Sequence, residues 1–506
     1  MASLAAARAG EPVVRARLAE LEDLMRSCSG VWLEAVSLVP TVTPGESLGV
    51  AIAGVDRLGA GLTVAALDVG GVADRAAAGR AVRGGFADTI RVAVPARAPL
   101  SQPYWLRTPP GRGLYAVADP ADIGRPEGAP PLVAHVVLAT AAGAHIAVDL
   151  PVAYRWADPV QGERWRSLEV APPATLAFDH GTYVFPDRAS REVQVTVTAQ
   201  RAALAGTLAL ALPAGWTAAP ATAPVALAHA GDEARVRFTV TPGAGPASAT
   251  LAAAITVDGR TWSHRLERID HPHIPMQTLF PPASVPLVRA DIRHAGARVA
   301  YLAGSGDAIP DALQLLGYEV TSLTDDEAES VDLGRFDAIV TGVRAFNTRP
   351  RLVALHERLM AYVRGGGTLV EQYNTTGDGP VGDFGPYPFT ISRDRVTVEE
   401  APVTVKRPGH PLLTTPNAIG DADFSGWVQE RGLNFPNPWD PRYETPLSCH
   451  DPGEPARDGG LLYARDGKGV YVYCAYALFR QLPAGVPGAW RLFANMVSAR
   501  GGAPTP

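Results

Sequence analysis

No apolar run in this 506-residue chain approaches the roughly 20 residues that a bilayer span needs. Cysteine is nearly absent. Cys28, Cys449 and Cys474 make three in all, an odd and sparse set that argues against a disulfide framework. Positive charge is not in excess either. With 45 Lys+Arg against 51 Asp+Glu, the formal net charge is -6, so no large basic face for nucleic acid is expected. The opening residues, "MASLAAARAGEPVVRARLAELEDLMRS", do not read as a signal peptide, because Arg8, Glu11 and Arg15 interrupt their apolar part. Missing too is a Ser or Cys on the glycine-flanked strand end "GGGTLVEQYNTTGDG", residues 365–379. A nucleophile-elbow enzyme would carry its reactive group there.

What the chain does have is glycine and proline, 51 and 46 residues, which favour turns and short strands over long helices. The length suggests roughly three domains. Val14, Leu18, Leu21 and Leu24-Met25 fall at helical spacing, so Pro12 to Arg26 reads as an amphipathic helix inside an N-terminal segment, residues 1–29. Short β-rich runs follow, among them "LTVAALDV", "DTIRVAVP" and "VAHVVLAT", and predict an antiparallel β-sandwich over 30–166. "REVQVTVTA" alternates Val193, Val195 and Val197 at period two and opens a second antiparallel sandwich over 167–270. Residues 271–290 are rich in proline and predict an extended linker. From 291 to 506 strands alternate with helices, as in "RVAYLAGSGDAIPDALQLLGYEVTSLT", which predicts βαβ units and a mainly parallel sheet. The short first helix favours a flavodoxin-like strand order.

The stretches "HPHIPMQTLFPPASVPLVRADI", "FDAIVTGVRAFNTRP", "GGTLVEQYNTT" and "GWVQERGLNFPNPWDPRYETPLSCHDPGE" resemble the C-terminal half of large bacterial LmbE-like (PIG-L family) deacetylases. That resemblance implies β-sandwiches, one of them of the α-galactosidase-associated type, followed by a domain similar to class I glutamine amidotransferases and trehalose-utilisation proteins. It also implies a zinc-dependent catalytic domain ahead of these parts, marked by a His-Pro-Asp-Asp motif. This sequence holds no such motif, so no residue takes the zinc-ligand role, no cofactor is expected in this chain, and zinc is expected only in that other domain. Proteins of this kind are commonly exported, so the chain would be extracytoplasmic if it is a piece of one.

Residues with possible chemistry fall into a few groups. His271 and His273, with His264, Glu267 and Asp270 near, have too few converging ligands for a metal and read more simply as linker histidines. Cys449-His450-Asp451 holds the residue types of a relay, but adjacent side chains on a strand point to opposite faces. Cys474 lies in the apolar run "GVYVYCAYAL" and reads as a buried small hydrophobe. Gly304-Ser305-Gly306-Asp307 precedes a helix, yet it is an incomplete phosphate fingerprint, and Asp307 can cap the helix itself. The better-supported site is a ligand pocket at the strand ends: Ser305 and Asp307, Arg344 and Asn347, then Gln372, Tyr373 and Asn374. Amides, a guanidinium and an aromatic ring suit sugar hydroxyls. Tyr104-Trp105 and Trp165 could stack on sugars, though such aromatics more often serve a core.

The expectation is therefore an N-terminal helix, two antiparallel β-sandwiches and an α/β domain. No catalytic residue is assigned. The chain would act as a non-catalytic accessory to a deacetylase, with a carbohydrate ligand or a catalytic domain or subunit as partner. Two alternatives stand beside it: a divergent hydrolase using the strand-end pocket, and a purely structural scaffold.

Overall fold

The computed structural model describes residues 12–499 apart from 74–76, 112, 378, 380 and 383. Residues 1–11, and with them the first part of the N-terminal segment, lie outside that description. The chain is mostly β-sheet in sandwich-like layers, with a few helices. No helix among the described residues is long and apolar enough to cross a membrane.

The amphipathic helix forms over Pro12–Cys28 and sets Met25 against the first β core, while Leu24 faces solvent. Behind it stands a five-stranded sheet in the order Gly162–Ser167, Ala153–Asp158, Val31–Ser37, Ser47–Asp56, Phe86–Ala93. It faces a four-stranded sheet ordered Val72–Ala73, Thr63–Val69, Val133–Ala139, His145–Pro151. The alternation of Val50, Ile52 and their neighbours puts one face of each strand into a shared apolar core. The sheet is not wholly antiparallel as expected: Val31–Ser37 runs parallel to Ala153–Asp158, in register at Val36 and Ala153. The chain crosses the sandwich before returning to that edge, and a crossover delivers a parallel partner where a hairpin cannot.

The second sandwich pairs a four-stranded sheet (Ala174–Phe178, Arg191–Ala199, Glu233–Thr241, Thr217–Ala219) with one built on Leu204–Ala211 and Ala247–Val257. Here the structure departs from the expected linker. Ser284–Arg289 lies in the latter sheet, antiparallel to Ala247–Val257 and parallel to Tyr183–Phe185. Leu287 and Val288 are fully buried. Pro286 occupies a strand position, which shows that prolines signalled less about this stretch than its Val-Leu-Val run did. The exposed, irregular part of the stretch is 270–275.

The C-terminal region is a six-stranded sheet in the order Glu319–Ser322, Arg298–Leu302, Ala338–Thr341, Thr368–Gln372, Gly469–Cys474, Leu461–Asp466. The first five are parallel and the last is antiparallel. Thr368–Gln372 is buried at every position, as a central parallel strand should be. The turn into it needs glycine: Gly366 has φ 117°, a conformation that L side chains rarely adopt. Val184 and Val288 of the second sandwich belong to the same apolar cluster as Leu313 and Leu316, so the two regions share a continuous core.

Candidate functional site

All seven residues of the expected pocket do gather at the ends of the parallel strands. The loops after Leu302 and Thr341 touch: a Cβ on Gly304 would fall 2.0 Å from the Val343 carbonyl oxygen. That contact places Asp307 at the centre of the cluster. Its Oδ1 accepts from the Tyr301 hydroxyl at 2.7 Å and from Ile309 N at 3.1 Å. Its Oδ2 accepts from Val343 N at 2.9 Å and from Gln372 Nε2 at 3.3 Å. The N-cap of helix Ile309–Leu316 is Ala308 and not the Asp307 expected from the sequence; Asp307, one residue before it, bonds the first helical N–H and ties three strand ends together. Burial, and then the Asp307 carboxylate, push the Tyr301 hydroxyl well above its ordinary range.

The amides are equally engaged. Gln372 Nε2 also donates to Thr341 O at 3.0 Å. Asn374 Oδ1 accepts from Phe346 N at 3.0 Å, and its Nδ2 donates to Gln372 O at 3.1 Å. Asn347 exchanges two bonds with Thr375, 3.0 and 2.9 Å long. Asn347, Gln372 and Asn374 are all buried. Tyr373 stacks on Phe479 with ring centroids 5.2 Å apart. Ser305 is exposed, but its hydroxyl donates to Val343 O at 3.2 Å. Arg344 sits at φ 58°, and its N–H donates to the Tyr373 carbonyl at 2.8 Å. The cluster is therefore a closed network of positioned loops, with Ser305, Arg344 and Thr376 at its solvent rim.

No activated thiol accompanies it. Cys449 and Cys474 are both buried and free, and burial pushes them up to about 11 and about 12. At neutral pH neither is a thiolate. His450 turns its Nδ1 to the Asp451 carbonyl at 2.9 Å, and Asp451 caps Thr397 and Val398 instead of orienting an imidazole. The metal candidates do not converge: the His271 and His273 rings stack 5.8 Å apart, Glu267 pairs with Arg265 at 3.1 Å, and Asp270 pairs with Arg164 at 3.1 Å. Among the described residues no three His, Cys, Asp or Glu side chains are placed to hold one metal ion. Tyr104 is buried with its hydroxyl on Arg125 O at 3.2 Å, edge-on to Trp105. Trp165 is 44% exposed, with Arg155 5.0 Å over one face of its ring.

Sequence reasoning passed over Glu371. Its neighbours Leu369, Val370, Tyr471 and Tyr473 are fully buried, and so is its carboxyl, which accepts from Tyr471 Oη at 2.5 Å. Burial pushes it up to about 8, so it is held neutral at pH 7. The signal was available: an acidic residue inside an otherwise apolar parallel strand has no solvated face to turn to.

Compared with known proteins, residues 187–258 match the NPCBM-associated, NEW3 domain of alpha-galactosidase. That stretch lies inside the second sandwich. No curated protein matches the chain. Among solved structures, a cold-adapted β-galactosidase from Rahnella sp. R3 is 18% identical with a TM-score of 0.24, covering 40% of this chain and 31% of its own. A Salmonella alpha-2-macroglobulin mutant is 13% identical with a TM-score of 0.19, covering 53% and 17%. The Escherichia coli adhesin FdeC is 10% identical with a TM-score of 0.15, covering 51% and 64%. The chain thus spans less than two thirds of each of these, and scores at that level identify no shared overall fold. The resemblance to LmbE-like deacetylases is corrected by these findings: the matching family is the α-galactosidase-associated one, and nothing found points to a deacetylase or an amidotransferase.

Proposed function

We propose that this chain is a non-catalytic, carbohydrate-associated accessory region that works beside a catalytic glycosidase domain or subunit. The observation that carries the reading is the match of residues 187–258 to a domain family associated with α-galactosidase. The chemistry of the C-terminal sheet supports it. Its strand-end polar groups are bonded to one another, and its thiols are buried and protonated. The parallel order of the sheet, with the first strand second from the edge, supports reading residues 291–506 as flavodoxin-like. A domain of that kind needs no chemistry of its own to serve as a rigid neighbour.

The reading is tested by incubating the full chain with soluble galactomannan and with nitrophenyl galactosides. Co-sedimentation with, or gel retardation by, the polysaccharide without release of nitrophenol is expected. Turnover that survives repurification would remove the non-catalytic part of the proposal.

A scaffold role is favoured by one further observation, the apolar cluster that runs from Val184 and Val288 into the α/β core. We take the second sandwich and the α/β region as one mechanical block, with no hinge at 277–289. Limited proteolysis should then nick the exposed 270–275 stretch, and the two fragments should stay associated through native gel filtration. Separation of the fragments would contradict a shared core.

A further inference from the structure

A second place in the molecule uses its polar groups in the opposite way. Where the two sandwiches meet, an open cleft of about 130 Å³ is lined by residues 99–103 and Arg107, 127–131, 166–169 and 276–278. Its base is fixed by Glu169, which is buried. That carboxylate accepts from Arg166 Nη1 at 2.6 Å, from Arg268 Nη2 at 3.0 Å and from the Thr278 hydroxyl. Two segments distant in sequence, 166–169 and the hairpin that carries Arg268 and Thr278, are thereby locked around one charge, and the acid is neutralised by its partners.

The groups above that base keep free hydrogen-bonding positions. Gln102 Oε1 accepts from Phe280 N at 3.4 Å, which fixes the amide and leaves its NH₂ to donate. Gln277 is fixed in the other sense: its Nε2 donates to Pro275 O at 3.1 Å, leaving Oε1 to accept. Ser101 Oγ accepts from Val170 N at 2.9 Å and retains its own proton to donate. Arg107 and Glu127 are exposed and make no ion pair with another described residue. Between these groups the walls are Pro99, Pro103, Pro130, Pro131 and Met276. Prolines hold φ fixed, so the walls lose little conformational entropy on binding.

Alternating donors and acceptors over apolar walls match a pyranose. Its ring carbons present apolar faces and its hydroxyls both donate and accept. A carboxylate or phosphate would meet Glu127 as a like charge beside Arg107 as an opposite one, so the two charges give an anion no net advantage, and a purely apolar group would strand the amides and guanidinium without water. The enclosed volume is far below the roughly 300–1,000 Å³ of pockets for drug-sized ligands, so the cleft itself seats about one ring, with any longer ligand continuing into solvent. We propose that this cleft binds a single neutral pyranose unit, held by Gln102, Gln277 and Arg107. The proposal rests on the carbohydrate-associated reading above and gives it a location.

The test is saturation-transfer NMR on the full chain, with methyl glycosides of galactose, glucose and mannose as probes and galacturonate as the charged control. At least one neutral probe should give saturable transfer, and the Gln102→Ala/Arg107→Ala double variant should weaken it at least tenfold while remaining folded. If the double variant folds poorly, Arg107→Ala alone, a change at an exposed side chain, should still weaken binding severalfold. Undiminished binding by a folded variant would overturn the cleft assignment while leaving the carbohydrate reading intact. No saturable transfer from any neutral probe, or stronger transfer from galacturonate, would overturn the proposal itself.

Discussion

The strand-end cluster of the C-terminal sheet and the cleft between the sandwiches contain similar side chains and do different things with them. At the strand ends a carboxylate takes four hydrogen bonds, and Asn347, Gln372 and Asn374 bond to backbone and to Asp307. In the cleft the one buried carboxylate is satisfied from below, while Gln102, Gln277 and Ser101 each keep a polar function open. Both places look sugar-like when only residue types are counted. What separates them is open hydrogen-bonding capacity beside apolar walls, which is what a ligand can claim.

The comparison predicts opposite mutational behaviour, and the largest effect belongs to Asp307. Asp307→Ala would leave the Tyr301 hydroxyl, Val343 N and Ile309 N without their acceptor and take one of the two acceptors from the Gln372 amide. Each buried orphan costs about 1–3 kcal/mol, so a loss of several kcal/mol is expected in urea denaturation. The fraction of that variant that remains folded should bind sugar as the wild type does. An Asp307→Ala protein of wild-type stability that had lost binding would reverse the roles assigned to the two places.

Much of this was legible in the sequence, and the misses have physical reasons. Period-two runs such as Val193, Val195 and Val197 marked the strands, because alternation follows directly from a half-buried sheet. Helix-strand alternation marked the parallel sheet. The strand-end residues were found because a parallel sheet brings its carboxyl ends together. Whether their amides faced a ligand or one another depends on loop contacts, such as Gly304 against Val343, that no spacing encodes. In the 271–290 stretch, proline count misleads because it outweighs the apolar run around Leu287 and Val288, which a strand position tolerant of proline accommodates. The cleft escapes a sequence reading because its polar groups come from stretches near residues 102, 166 and 277, joined only by the packing of two sandwiches. The family resemblance failed for a different reason: shared composition and loop wording in the C-terminal region say nothing about which catalytic partner, if any, accompanies it.

A smaller, pH-dependent effect is predicted at Glu371. Its carboxyl is raised by burial to about 8 in the folded chain, against an ordinary value of 4.5. The folded state therefore keeps a proton that the unfolded state has released. The stability of the neutral form is fully present below about pH 4.5 and is lost progressively as pH rises towards 8. Glu371→Gln removes the titration but can still accept from the Tyr471 hydroxyl. The variant should match the wild type near pH 4.5 and exceed it by up to about 4 kcal/mol at pH 8, with thermal melts across that range as the measurement. An offset independent of pH would show that Glu371 is not a buried neutral acid, and would reopen the sheet's edge to acid–base chemistry.

The smallest expected effect is the sharpest check on the comparison. Arg107 is exposed, carries no ion pair with another described residue and supports no backbone group among them. Removing it should therefore cost no more than about 0.5 kcal/mol, the usual range for a surface change away from caps and buried networks. A guanidinium that does nothing for the fold is free to act on a ligand, just as Asp307, fully engaged in the fold, is not. Chemical denaturation of Arg107→Ala should superimpose on the wild type in midpoint and slope. Suppose instead that the midpoint falls by an amount comparable to Asp307→Ala. Arg107 would then be a structural member of the sandwich junction, the groups above Glu169 would be tied into the fold like those at the strand ends, and the distinction between the two places would disappear.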